Sequence, residues 1–121
     1  NNKYDFVVID FIQNIMLSKG QDEYERLSLI ALSLQKFAKK TNTCILALSQ
    51  LSNQLVRERK KDLVEYKGSG SIGTVCDLGF FLEDAETKGE FLLRLRKNRR
   101  GISGEVFAFG IQAPGGRIIA K

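Results

Sequence analysis

The sequence predicts an α/β fold in which helices flank a parallel central sheet and an antiparallel β extension closes the C-terminal end. Two short, wholly apolar runs, Phe6-Val7-Val8-Ile9 and Cys44-Ile45-Leu46-Ala47-Leu48, lie on either side of a segment with helical periodicity. Strand, helix and strand in that order form a right-handed βαβ unit with a buried parallel sheet. Past residue 90 the apolar residues alternate with polar ones, as half-exposed antiparallel strands require.

The first strand is expected over residues 4–10, ending on Asp10. Asp22-Glu23-Tyr24-Glu25 resembles a helix start, with Asp22 as the cap and Glu25 reaching back to it. From there Tyr24, Leu27, Ile30, Ala31, Leu34, Phe37 and Ala38 form one apolar stripe. Lys39 and Lys40 fall in the last turn, where cations suit the helix dipole. Leu29 and Leu32 lie off the stripe and imply a second apolar contact. Residues 49–71 show no sustained period and read as a partly helical, mobile excursion. A short helical turn over residues 72–75 leads into Leu78-Gly79-Phe80-Phe81-Leu82, expected as a third buried strand followed by Glu83 and Asp84 in a turn. Glu86-Thr87-Lys88-Gly89 is a turn. Strands follow over 91–96 and 105–111, and Pro114-Gly115-Gly116 turns into a closing strand over 117–120. Residues 1–121 are read as a single domain, without repeats or low-complexity linkers.

Composition narrows the chemistry. A chain of 121 residues that is 43% hydrophobic can build a core. No apolar run approaches a membrane span, and residues 1–5 lack the order of a signal peptide, so the expected location is cytoplasmic, with no membrane partner. Cys44 and Cys76 sit in apolar surroundings without C-x-x-C spacing, and the chain has no histidine. They read as reduced core thiols, and a zinc site has no support. The net charge of +5 permits an anionic partner. Much of it is concentrated: residues 57–61 hold four basic side chains and residues 94–100 hold five. Such runs also occur as plain solvated surface.

In α/β sheets, ligands bind beyond the carboxyl ends of the strands. Asp10 ends the first strand, Ser49-Gln50 ends the second and Glu83-Asp84 ends the third. A carboxylate at Asp10 suits magnesium, which keeps much of its water and takes few protein ligands. An amide at Gln50 can orient water or sense a terminal phosphate without adding charge. Asp10 could equally be a cap or turn former, and Gln50 a solvated loop residue. The glycine-rich phosphate loop G-x-x-x-x-G-K-[ST] occurs nowhere in the 121 residues.

Four segments in order, Val8-Ile9-Asp10-Phe11-Ile12-Gln13, Ala47-Leu48-Ser49-Gln50-Leu51, Lys67-Gly68-Ser69-Gly70-Ser71-Ile72 and Lys97-Asn98-Arg99-Arg100-Gly101, resemble later motifs of DnaB-type replicative ring helicases and their phage primase–helicase relatives. The resemblance runs from Tyr4 to about Lys121 and implies part of a RecA-like ATPase fold, the C-terminal portion of a motor domain that lacks its phosphate loop. It implies an enzyme that uses ATP and Mg2+ to unwind DNA as a homo-hexamer, with single-stranded DNA in its channel and a primase or helicase loader as possible partner. In that setting Asp10 supports magnesium, and Gln50 couples the γ-phosphate to the DNA-binding loops. The stretch after Gln13, to about Asp22, and Lys67, Gly68, Ser69 and Gly70, match those loops. Glycines let backbone N–H groups approach phosphate, while lysine stands where the family usually has arginine and keeps the charge without the bidentate geometry.

Lys97 and Arg99 have a spacing that would place both side chains on one face of a strand or hairpin. The resemblance makes them the pair that reaches the neighbouring subunit's ATP, with Arg99 as a finger acting in trans. Arg100 departs from the usual small polar or aromatic neighbour and remains the alternative finger. The phosphate cradle and the family's upstream catalytic glutamate are missing, so the 121 residues alone are expected to be inactive. A RecA-type recombinase or clock-type ATPase, and a non-catalytic DNA-binding or assembly module, are the other readings.

Overall fold

The computed structural model describes residues 3–16, 22–50 and 70–121. These divide into two compact units, Asn1–Cys76 and Asp77–Lys121.

In the first unit, strand β1 (Phe6–Ile9) pairs in parallel with β2 (Cys44–Ala47), from Phe6 opposite Cys44 to Ile9 opposite Ala47. Between them run a 3-10 turn (Ile12–Asn14) and helix α1 (Glu23–Thr41). The expected strand–helix–strand unit is therefore present. Ile12 forms the centre of the core at 2% exposure, packed with Leu27 and Ile30 and flanked by Ile9, Ile15, Leu34 and Ile72. Only part of the predicted stripe is buried. Leu27, Ile30 and Ala31 are inside, while Tyr24 and Phe37 stay about half exposed.

Helix α1 begins where expected, but Asp22 makes no side-chain cap hydrogen bond. Its backbone carbonyl accepts from Arg26 N–H at 2.9 Å, and Glu23 and Glu25 place negative charge in the first turn. At the other end Asn42 adopts the left-handed conformation (φ 54°), which a short polar side chain tolerates, and its N–H closes on Ala38 O. Thr43, buried, donates its hydroxyl to Tyr4 O at 2.8 Å and joins the end of α1 to the entry of β1.

Helix α2 (Gly70–Val75) packs on α1, and Gln35 of α1 donates to Val75 O at 2.8 Å. The sequence anticipates this turn, but starts it two residues late: Gly70 belongs to the helix, not to the loop before it.

The parallel pair is not buried on both faces. Val7, Ile9 and Ile45 are half-buried, whereas Phe6, Val8, Cys44 and Leu46, in register with one another, are exposed. Cys44 is thus an exposed thiol and Cys76 a partly buried one, neither in a disulfide, so neither is the core thiol expected from their apolar neighbours.

The second unit is an antiparallel meander, β3 (Leu78–Asp84), β4 (Glu90–Asn98), β5 (Val106–Gln112) and β6 (Arg117–Ala120), with strands in sequence order. Strand β3 is not the fully buried strand predicted. Its burial alternates, with Gly79 and Phe81 inside, because it pairs antiparallel with β4. Glu83 and Asp84 lie within this strand and not in a turn. Phe81 and Leu95 are buried, and Phe91 stacks on its cross-strand partner Phe109 at 5.6 Å between ring centroids. Gly89 turns the first hairpin with φ 83°, a conformation that glycine reaches without Cβ strain.

Candidate functional site

The carboxyl end of the β1–β2 pair gathers the predicted residues of the first unit. Asp10 follows the last residue of β1 and is exposed. Backbone bonds carry the pairing just past the strands: Leu48 N–H donates to Ile9 O and Ile12 N–H to Leu48 O, each at 2.9 Å. Ser49 and Gln50 therefore emerge from β2 on the same edge as Asp10.

Gln13 joins these two strand ends. Its Nε2 donates to Ser49 Oγ at 3.0 Å and to Gln50 O at 3.2 Å, while its Oε1 accepts from Gln50 N–H at 3.3 Å. Arg26, from the first turns of α1, donates through Nη1 to the carbonyls of Gln13 (3.1 Å) and Ile15 (2.8 Å). Sequence reading places Gln13 in a motif but assigns it no role, because no spacing rule reveals a hydrogen bond across 37 residues.

Asp10 offers a hard oxygen donor of the kind magnesium takes. Among the described residues no group of three His, Cys, Asp or Glu side chains forms a metal cage. A single carboxylate of this kind suits an ion that keeps much of its own water.

The second unit holds Lys97 and Arg99. Lys97 is the penultimate residue of β4, opposite Gly79. Arg99 lies beyond the end of β4, so strand alternation alone does not put the two side chains on one face. The register jumps from Gly79↔Lys97 to Phe80↔Leu95, which leaves Arg96 as the extra residue of a β-bulge.

Arg99 is held twice by Asp77: its N–H donates to Asp77 O at 2.9 Å, and its Nη1 meets Asp77 Oδ1 at 2.8 Å. Asn98 organises the turn around it. Its Nδ2 donates to Ile102 O at 3.1 Å and its Oδ1 accepts from Arg100 N–H at 3.2 Å. Gly101 permits this, since a Cβ there would meet Asn98 Nδ2 at 2.8 Å. The asparagine and glycine of Lys97-Asn98-Arg99-Arg100-Gly101 therefore shape a turn that presents the arginines. Glu83 pairs with Arg94 at 3.2 Å and with Arg96 at 3.8 Å, so a single carboxylate offsets one of the charges of this basic cluster on the sheet.

Lys67, Gly68 and Ser69 lie outside the described residues, as does most of the stretch between Gln13 and Asp22. Gly70, the last member of the predicted loop, opens α2.

Residues 1–111 match the family described as the DnaB-like helicase C terminal domain. The chain belongs to this family. It is 33% identical over 118 residues to the replicative DNA helicase DnaB of Mycoplasma genitalium, which covers 83% of the chain and 25% of that relative. It is 29% identical over 103 residues to a probable plasmid replicative DNA helicase of Chlamydia muridarum, covering 84% of the chain and 23% of that protein. The chain thus spans about a quarter of the length of these relatives.

Among solved structures, an ATPase domain superposes with a TM-score of 0.82 at 24% identity, over 98% of this chain and 45% of that one. A DnaB-like replicative helicase, described with its interactions with primase, gives 0.81 at 24% identity over 98% of this chain and 30% of its own. These likenesses establish the RecA-like fold expected from the four motifs. Among the described residues no helix is long and apolar enough to cross a membrane.

Proposed function

We propose that this DnaB-like chain is the C-terminal part of an ATP-driven motor that unwinds duplex DNA as a homo-hexameric ring, with both compact units contributing to one motor domain. The observation that carries the reading is the convergence of Asp10, Ser49 and Gln50 on one edge of a parallel strand pair, the edge where α/β folds bind ligands.

Asp10 supports Mg2+ through its water shell, and the ion, when bound with ATP, screens the phosphate charge. Gln50 reads the terminal phosphate by hydrogen bonding. Arg99, aided by Lys97, reaches the ATP of the adjoining subunit and makes hydrolysis depend on assembly. Lys67, Gly68, Ser69 and Gly70 bind single-stranded DNA through charge and backbone N–H groups. A primase is a candidate partner, as it is for the DnaB-like helicase matched in structure, and a loader is another. The work is done in the cytoplasm. The 121-residue chain alone is inactive, because it contains no G-x-x-x-x-G-K-[ST] phosphate loop.

The test is Asp10→Ala in the whole ring-forming protein, assayed for Mg2+-dependent ATP hydrolysis and strand displacement. Both activities should be lost while single-stranded DNA is still bound. Undiminished hydrolysis would remove Asp10 from the site, and a lack of hydrolysis by the unsubstituted protein would favour a non-catalytic DNA-binding module.

A further inference from the structure

Beyond Leu48 the strand neighbour of β2 has turned away into the 3-10 turn, and the backbone of Gln50 is met instead by a side chain. The amide of Gln13 presents one donor and one acceptor side by side. It uses them on the N–H and C=O of the same residue, as a neighbouring strand would, and adds a bond to Ser49 Oγ. Two opposed bonds to one residue set the orientation of its peptides, which a single bond would leave free to rotate. The Gln13 end is itself fixed, since Arg26 grips the carbonyls of Gln13 and Ile15 from α1.

We infer that Gln13 is the positioning residue for Gln50: it sets the backbone from which the Gln50 side chain reaches toward the terminal phosphate, and Arg26 holds it in place. This rests on the proposed role of Gln50 as phosphate sensor. Glutamine is the side chain that suits the task. Asparagine is one methylene too short to span the same gap. Glutamate keeps the acceptor for Gln50 N–H but sets an anion against Gln50 O.

The experiment is a double-mutant cycle in the whole ring-forming protein, using Gln13→Leu and Gln50→Ala singly and together, with single-turnover and steady-state ATP hydrolysis as readouts. Gln13→Leu should lower kcat about 10- to 100-fold, the scale of a misplaced catalytic group, with a much smaller change in KM for ATP. In the Gln50→Ala background the same substitution should change turnover by less than about twofold, since residues acting through one another are not additive.

Equal losses in both backgrounds would overturn the positioning role, because Gln13 would then act independently of Gln50. So would unchanged turnover in Gln13→Leu when Gln50→Ala is impaired, and the sensor role would survive that result. Unchanged turnover in Gln50→Ala would overturn the sensor role and the positioning role together. Should Gln13→Leu fail to fold, Gln13→Glu takes its place in the cycle, with the same expected pattern.

Discussion

Replacing Asp77 with asparagine removes the ion pair on Arg99 while leaving the backbone bond from Arg99 N–H to Asp77 O in place. If Arg99 works on a neighbour's ATP, its guanidinium must leave Asp77 each time, and the strength of that pair sets how far the arginine is held back. The pair is 2.8 Å long, but its side chains are 39% and 72% exposed. At that distance in bulk water the Coulomb attraction of two unit charges is about 1.5 kcal/mol, before side-chain ordering opposes it. Measured exposed pairs contribute roughly 0.2–1 kcal/mol. Losing such a restraint makes the guanidinium roughly 1.4- to 5-fold more available, a mild effect that added salt should shrink further. Arg99→Ala removes the finger itself and should cost about 10³- to 10⁵-fold in turnover, with nucleotide binding nearly intact. Steady-state ATP hydrolysis by the assembled ring, at low and moderate salt, compares the two variants. A tenfold or larger loss in Asp77→Asn would refute the reasoning, since the ion pair would then be positioning the finger and not restraining it. Unchanged turnover in Arg99→Ala would move the finger to another residue, with Arg100 the first to test.

The remaining predictions concern DNA and the core. Lys67→Ala should weaken binding of single-stranded DNA in a titration across salt concentrations, with the log–log slope shallower by about 0.7, the share of one neutralised phosphate on a single strand. An unchanged slope would place that lysine away from the phosphates. Ile12→Ala empties the most buried of the described positions of the first unit and should destabilise it by about 2–5 kcal/mol in denaturant unfolding. A loss below about 1 kcal/mol would mean that Ile12 is not the centre of this core.

Local pattern is a good guide wherever one face of an element decides its state. The period of Leu27, Ile30 and Leu34 marks α1, the charges of Glu23, Glu25, Lys39 and Lys40 mark its ends, and the glycine of residues 86–89 marks the first hairpin turn. Pattern misleads where burial depends on a second layer. Apolar continuity cannot distinguish a strand covered on both faces from one covered on a single face, so it puts Cys44 inside and β3 fully under cover, and neither is so. The capping box fails for a different reason: two compatible residues at the right spacing do not compel a bond, and Asp22 makes no side-chain cap.

The sequence by itself determined the family, through four ordered motifs. It also determined which residue types stand at Asp10, Gln50, Lys97 and Arg99, because chemistry tied to a ligand must be carried by particular side chains. Tertiary structure alone decided how those residues are held. Gln13 reaches Gln50 across 37 positions, and Asp77 meets Arg99 through the antiparallel return of β4. Pairings between residues far apart in the chain leave no period or spacing to read, so they become visible only when folding brings them within hydrogen-bonding distance.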